Sequence, residues 1–270
     1  MTKADLQHAL KELEVLAFSN FNILLNNSQG TAATLLFHAE LESDHSHTET
    51  SATPSDPTRY STFLSSRPET LEVDAISLIR SLHTSFPSVS KHIVHLSAAT
   101  ALPLLSTTQE PGLTAETCFH YLSLSESVLD AQVSTGRPHF KCCPPIRDTA
   151  NADALWAALK GGTLNCVVSD HSPCVPQLKR LAGATDGGAA DGDYMQAWGG
   201  ISSLGLGFSI MWSLAKRRGV SLAQIVRWMG VETAKLARLE STKGALKEGL
   251  DADLVFWDLD EEWTVGLIAC

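Results

Sequence analysis

The sequence predicts an α/β fold in which parallel β-strands alternate with α-helices. Two observations lead to this prediction: four short apolar runs have the composition of strands, and amphipathic helical patterns lie between them. The chain of 270 residues is 44% hydrophobic and 19% charged, which is enough apolar material for a buried core. We therefore expect βα units that build a parallel sheet or barrel.

The chain opens with a predicted amphipathic helix from Lys3 to Ala17. Its leucines recur three or four residues apart among charged side chains, at positions 6, 10, 13 and 16. The next segment, residues 19–30, is rich in Asn and has neither a helical nor a strand period. We interpret it as an inserted loop.

The remaining elements follow from composition and periodicity. The strand-like runs cover residues 34–38, 92–96, 139–142 and 165–170. Helices are predicted at residues 73–82, 150–159, 201–217 and 221–239. Surface loops are predicted at residues 41–66 and 178–193, and a short alternating strand outside the main alternation at residues 251–258.

Charge and composition exclude several classes of function. The formal net charge is −10 and the longest basic run is Lys216-Arg217-Arg218, so we expect no nucleic-acid binding. The N-terminus has no apolar signal region, and no stretch reaches about 18 apolar residues, so we expect neither secretion nor membrane insertion. The six cysteines show no zinc-knuckle spacing, which indicates reduced thiols in a cytoplasmic protein.

Three strand-like runs lead into potential metal ligands, His38, His95 and Asp170. Side chains at the carboxyl ends of parallel barrel strands converge on one mouth, where active sites lie. Two histidines and a carboxylate at such a mouth can hold zinc or a similar divalent ion, and a carboxylate beside activated water can also carry its proton. A single histidine at a strand end is more often buried and bonded to backbone, so spacing alone leaves that alternative open.

Six sequence motifs, taken in order along the chain, help to decide whether these residues are metal ligands or structural residues. They are Phe-His-Ala-Glu at 37–40, His-Ile-Val-His-Leu-Ser at 92–97, Glu-Thr-Cys-Phe-His-Tyr-Leu at 116–122, Lys-Cys-Cys-Pro-Pro-Ile-Arg at 141–147, Ser-Asp-His-Ser-Pro-Cys at 169–174 and Gly-Leu-Asp-Ala-Asp-Leu-Val at 249–255. In this order they closely resemble the motif string of the cyclic amidohydrolases. Residues 144–148, 170–174 and 197–201 are most similar to the members that open the ring of allantoin.

This resemblance implies a partial TIM-type (β/α) barrel over residues 1–240, followed by the start of a small β-sandwich over residues 241–270. It implies a site with two zinc ions that share a bridging hydroxide. On the matching positions, His38 and His95 look like ligands of one metal. Asp170 looks like a ligand of the other and like the catalytic group that moves a proton to the leaving nitrogen.

The resemblance also indicates where a substrate would lie. The backbone from Ser172 onward and the turn from Cys142 to Pro145 are expected beside the substrate. A hydantoin ring carries no charge, so its recognition through backbone N–H and C=O groups is physically reasonable.

The sequence departs from the family pattern at two ligand positions. Family members carry a His-x-His at the end of the first barrel strand and a carboxylated lysine on the fourth, and neither is recognisable here. His45-Ser46-His47 lies in an acidic, hydrophilic stretch and is interpreted as a solvated loop. We therefore expect a chain truncated at both ends, either a shorter isoform or a fragment of a longer coding sequence.

Other residues have structural interpretations. His120 is predicted to pack or to support a ligand, His171 to be structural, and Trp198 and Trp212 to be core or loop-anchoring aromatics. A nucleophilic role for Cys142 is disfavoured because no base is found at a recognisable spacing.

The implied activity is metal-dependent hydrolysis of the cyclic amide of allantoin to allantoate. Two alternatives stay open: a catalytically inactive remnant or interaction module, and a different ring within the same class, as in dihydropyrimidinase or dihydroorotase. The expected partner is a small cyclic ureide, and complete relatives imply a homo-tetramer.

Overall fold

The computed structural model describes residues 3–11, 34–41, 56–106, 111–131, 136–184 and 191–262. A parallel sheet of four strands in chain order forms its centre. The strands are β1 (Thr34–Phe37), β2 (Ser90–Ile93), β3 (Leu113–Cys118) and β4 (Cys166–Val168). Because helices connect these strands, the architecture is a partial TIM-type (β/α) barrel, as the sequence predicts.

Ten α-helices are present in the described residues. They are α1 (residues 3–11), α2 (Tyr60–Ser65), α3 (Thr70–Ser85), α4 (Leu102–Ser106), α5 (Phe119–Ser123), α6 (Glu126–Leu129), α7 (Thr149–Gly161), α8 (Gly207–Arg218), α9 (Leu222–Val226) and α10 (Glu232–Leu236). A π-helical segment, Arg227–Val231, joins α9 to α10. No helix in the described part of the chain is long and apolar enough to cross a bilayer.

Local sequence sets the ends of α7. The Asp148 carboxylate accepts a hydrogen bond from the N–H of Asn151 at 2.7 Å, which satisfies one of the unpaired donors of the first turn. Gly162 ends the helix with a φ of +81°, a conformation that glycine adopts without the strain of a Cβ. The predicted helices at residues 73–82 and 150–159 are confirmed within α3 and α7.

The strand predictions are partly correct. Strands form within residues 34–38 and 165–170, and the strand predicted at 92–96 is shifted toward the N-terminus, to Ser90–Ile93. The strand predicted at 139–142 is wrong, because Pro138–Phe140 form a 3₁₀ turn that begins at a proline. Strand β3 was not predicted, since its three polar residues interrupt any apolar run: Thr114, Glu116 and Thr117.

Side chains of the sheet alternate between two faces. Leu35 packs with Leu10 and Leu82, and Ile93 lies in the main core, so this face meets the helices. On the other face, Leu36 of β1 is 63% exposed. The core therefore lies between the sheet and its helices, and the opposite face of β1 is open.

The C-terminal segment differs from its prediction. Residues 251–262 contain no strand, and Val255 and Phe256 are exposed. Trp212 Nε1 and Lys216 Nζ both donate to the Leu259 carbonyl, which ties this segment to α8. The strand predicted at 251–258 is therefore absent, and the β-sandwich remnant stays a prediction. The predicted inserted loop at 19–30 and the His45-Ser46-His47 sequence lie outside the described residues.

Candidate active site

Two predicted ligands, His38 and His95, meet at the carboxyl end of the sheet. His38 follows β1 directly, and His95 lies two residues beyond β2. The His38 Nδ1 and His95 Nε2 atoms are 3.0 Å apart, and the rings meet edge to face. His95 and Asp170 have φ angles of +43° and +44°, so the chain turns sharply where these side chains emerge. We call His38, His95 and Asp170 the mouth site.

The His38 ring is oriented by a carboxylate. Its Nε2 atom lies 2.8 Å from Glu40 Oε2, and Arg67 donates to the same oxygen at 2.7 Å. Burial raises the pKa of Glu40, but the hydrogen bond from His38 and the charge of Arg67 outweigh it and bring that pKa below its usual value. An ionised Glu40 accepts the Nε2 proton, which leaves the Nδ1 lone pair facing His95.

The turn that carries His95 is anchored by buried charges. Glu72 accepts the N–H groups of Ser97 and Ala98 at 2.8 and 3.0 Å, and its other oxygen pairs with Arg147 at 3.0 Å. Asn151 donates to the Ser97 carbonyl at 2.9 Å. Helices α3 and α7 therefore hold the backbone that positions His95.

Asp170 lies two residues beyond β4 and interacts electrostatically with both histidines. Burial raises the pKa of Asp170 above its ordinary value, with a contribution from Glu116, although His95 and His38 act in the opposite direction. Burial lowers the pKa of His95, and His38 lowers it further. The mouth site thus combines a histidine that favours its neutral form with a carboxyl group that retains its proton to higher pH.

The predicted substrate-binding residues lie beside this mouth and make structural contacts. Ser172 donates its N–H to the Ile201 carbonyl at 3.0 Å. Cys142 is buried, and the Pro145 carbonyl accepts the Ser97 hydroxyl at 2.6 Å. Their contact with a substrate stays a prediction.

Two buried lysines, Lys141 and Lys179, hold the backbone of the same region. Lys179 donates to the carbonyls of Lys141 and Trp198 at 2.9 and 2.8 Å, and also to that of Gly200. Lys141 donates to the Ala197 carbonyl at 2.7 Å. Burial lowers the pKa of Lys179 to about 8. The sequence carries no signal for this role, because a helix and a strand separate the two lysines and the loop that they hold follows both of them.

The structural interpretations of the remaining side chains are mostly confirmed. His171 Nδ1 accepts the N–H groups of Ser203 and Leu204 at 2.9 Å each. His120 is buried against Tyr121, with no hydrogen-bond partner among the described residues. Trp212 anchors the C-terminal segment, as predicted. The Trp198 side chain is exposed, so a core position is wrong for it.

The mouth site fits a divalent cation. Two imidazole nitrogens 3.0 Å apart are close to the separation of two ligands on one metal, and a carboxylate behind one imidazole is a usual supporting contact. A bridging lysine is not evident among the described residues of this region, because Lys141 and Lys179 bind backbone carbonyls.

Comparison with known sequences places these features in context. The model of the Amidohydrolase family matches residues 31–268 of the chain. The chain is 40% identical to mitochondrial allantoinase of Aquarana catesbeiana over 95% of the chain and 48% of that protein. It is 43% identical to allantoinase of Saccharomyces cerevisiae over 83% of the chain and 46% of that protein. The chain thus spans about half the length of these relatives.

Solved structures give the same picture of the fold. L-hydantoinase from Arthrobacter aurescens matches with a TM-score of 0.71 over 93% of the chain and 50% of that structure, at 20% identity, which supports the fold alone. Dihydropyrimidinase from Brevibacillus agri matches with a TM-score of 0.67 at 28% identity, over 82% of the chain and 47% of that structure.

Proposed function

Because this chain belongs to the Amidohydrolase family, we propose that its protein hydrolyses a cyclic amide and that allantoin, opened to allantoate, is the substrate. The observation that carries the proposal is the convergence of His38 Nδ1 and His95 Nε2 within 3.0 Å at the carboxyl end of the sheet. The relatives named allantoinase favour allantoin among cyclic amides.

In this proposal His38 and His95 hold a divalent cation, zinc by preference, and Glu40 fixes the tautomer of His38. When bound, the cation supplies Lewis-acid polarisation of the amide carbonyl and makes water more acidic. Asp170 accepts the proton of the attacking water and donates it to the ring nitrogen as the C–N bond breaks. Its raised pKa suits both transfers, since a group with a pKa nearer neutrality is a better acid and base at pH 7.

Further elements of the site are also part of the proposal. A second zinc ion needs the His-x-His and carboxylated-lysine ligands of the family. Lys141 and Lys179 hold the loop at residues 197–200, and Ser172 lies against its Gly200. We propose Cys142, Pro145 and Ser172 as the wall facing the substrate.

The test is hydrolysis of allantoin by the purified chain with zinc, compared with Asp170→Asn and Asp153→Asn. Loss of a general acid and base lowers the rate by roughly 10²–10⁴-fold, so Asp170→Asn should lose that much. Asp153 pairs with Arg218 on the surface, and its variant should retain the rate. Equal background rates in all three proteins would contradict catalysis by this chain.

A panel of allantoin, dihydrouracil, hydantoin and dihydroorotate tests the ring. Faster turnover of dihydroorotate or dihydrouracil would move the assignment to dihydroorotase or dihydropyrimidinase. The structural likeness to a dihydropyrimidinase is the reason to include that alternative.

A second candidate function is that of an inactive interaction module. The position of β1 at one end of the described four-stranded sheet favours it, because an open strand edge pairs readily with another chain. We also propose a homo-oligomer, a tetramer as in complete relatives, and a cytoplasmic location. Sedimentation and cell fractionation test both, with mitochondria included because one relative is named as mitochondrial.

A further inference from the structure

Three further side chains of metal-binding type converge on one face of the sheet, one from each of three consecutive strands. They are His92 of β2, Glu116 of β3 and Cys166 of β4, and we call them the strand cluster. One donor atom from each lies within 4.8 Å of the others. The residues are 0%, 7% and 1% exposed, respectively.

Strand register produces this convergence. His92 is paired with Thr114 across β2 and β3, and Glu116 is paired with Cys166 across β3 and β4. Residues 114 and 116 are two apart on one strand, so both pairs point to the same face of the sheet. The cluster is therefore fixed by backbone pairing and not by flexible loops.

The distances are those of donors around a common point. His92 Nε2 lies 3.2 Å from Glu116 Oε2, and Cys166 Sγ lies 3.6 Å from the same oxygen. Around a tetrahedral zinc ion, bond lengths of about 2.0 Å to N and O and about 2.3 Å to S give separations of about 3.3 and 3.5 Å. The two measured separations already match these values, and the third, between His92 and Cys166, is no more than 4.8 Å.

The alignment of His92 also points to a metal. Despite its 3.2 Å contact, Nε2 is not aligned with Glu116 for a hydrogen bond and has no hydrogen-bond partner among the described residues. Nδ1 lies 2.7 Å from Thr114 Oγ1, which can accept the Nδ1 proton and leave the Nε2 lone pair toward the cluster. A buried, unpaired nitrogen is unfavourable unless something binds it.

Charge favours a divalent ion at this point. In the folded chain the Cys166 thiol donates to Glu116 Oε2. A metal that displaces this proton would meet a carboxylate, a thiolate and a neutral imidazole, whose two negative charges one divalent cation neutralises. In the described residues no Lys or Arg forms an ion pair with Glu116, and an uncompensated buried charge is costly.

Access comes from the amino-terminal end of the strands. A cavity of about 250 Å³ there is lined by His92 and Cys166, and by Glu232 and Lys235 of α10. No residue of the mouth site lines it. Water in this cavity can supply a fourth ligand.

We propose that His92, Glu116 and Cys166 bind a divalent transition-metal ion of the zinc type, at a site separate from the mouth site. It shares no residue with the mouth site, so metal binding there can be tested independently of the proposed hydrolase activity. Its mixed nitrogen, oxygen and sulfur donors favour zinc, cobalt or cadmium over magnesium or calcium.

The test uses cobalt and cadmium as probes of the folded 270-residue chain. Binding at the strand cluster should give the charge-transfer absorption of a metal thiolate, which the three mouth-site residues, having no sulfur, do not give. Cys166→Ala should abolish that absorption and weaken binding by at least about 100-fold, since changes merely behind a ligand cost about 10–100-fold. Cys118→Ala and Cys142→Ala, which remove other buried thiols, should retain it.

X-ray absorption at the zinc edge of the unmodified chain covers the case in which a variant does not fold. One sulfur at about 2.3 Å together with nitrogen or oxygen neighbours is expected. A zinc environment without sulfur, a thiolate band that persists in Cys166→Ala, or folded protein that gives no band would each overturn the proposal. None of these readouts depends on turnover, so a failed hydrolase test leaves them interpretable.

Discussion

His38 and His95 lie just beyond the carboxyl ends of neighbouring parallel strands, yet their surroundings differ. His38 follows β1, an edge strand of the sheet that the described residues form, and its side chain is 52% exposed. His95 follows β2, between β1 and β3, and is 8% exposed. The exposed histidine is oriented by Glu40, which pairs with the partly exposed Arg67, and the buried one lies on a turn held by the fully buried network around Glu72.

The difference shows how position in a sheet sets the rigidity of a ligand. An interior strand is flanked on both sides, so groups at its end are enclosed and must be paired internally. At an edge strand the terminal side chain is enclosed on fewer sides, so it stays more exposed and its contacts are screened more by water. We expect the His95 side of the mouth site to be preorganised and the His38 side to be adjustable.

The largest expected effect comes from Glu72→Ala, which breaks the network behind His95. Removing one partner of a buried pair leaves Arg147 uncompensated, so the free energy of unfolding should fall by about 3–5 kcal/mol. Urea denaturation at pH 7 measures it. Glu69→Ala, on the same side of the molecule but bonded to Thr100 near the surface, is the control and should lose less than about 1 kcal/mol. Equal losses of unfolding free energy in the two variants would contradict a special role for the buried network behind His95.

An intermediate effect is expected from pH, through His120. Burial lowers the pKa of His120 to about 3, with a contribution from His95, whereas the unfolded chain titrates near 6.5. The unfolded state therefore binds an extra proton as the pH falls below about 6.5, and stability declines by up to about 1.4 kcal/mol per pH unit until about pH 3.

His120→Phe should remove this contribution and flatten the dependence of the unfolding free energy on pH between 6.5 and 5. Urea denaturation across that range measures it. At pH 7.5 His120 is neutral in both the folded and the unfolded chain. The unfolding free energy of each protein at that pH is therefore the reference for its own values at lower pH. Parallel pH profiles for the two proteins would show that the ring near His95 is not held neutral.

The smallest effect is expected from Arg67→Met, on the His38 side. The Arg67 side chain is 27% exposed but that of Glu40 is only 4% exposed, and Glu40 keeps its contact with His38, so loss of the pair should lower the free energy of unfolding by about 1–2 kcal/mol. Arg227→Met, which breaks a more exposed pair with Glu232, should change it less. If Arg67→Met lowered the free energy of unfolding as much as Glu72→Ala does, the contacts around His38 would be as stabilising as those around His95.

Part of the site could be predicted because it is local in sequence. His38 and Asp170 each follow an apolar run, and the periodicity of that run indicates both the strand and its end. Strand β3 escaped prediction because Glu116 and Thr117 make polar contacts inside the fold, with Cys166 and with the Leu96 carbonyl. Polar residues that pair in a core look like loop residues in a sequence.

By itself, the sequence determined the α/β alternation, the family motifs and the types of ligand at the strand ends, because each depends on residues close together in the chain. Only the tertiary structure decided which of these groups meet. Lys179 clamps carbonyls up to 38 residues away, and the strand cluster joins residues 92, 116 and 166 through strand register. Register depends on pairing between distant segments, and a shift of one residue would turn these side chains to the other face.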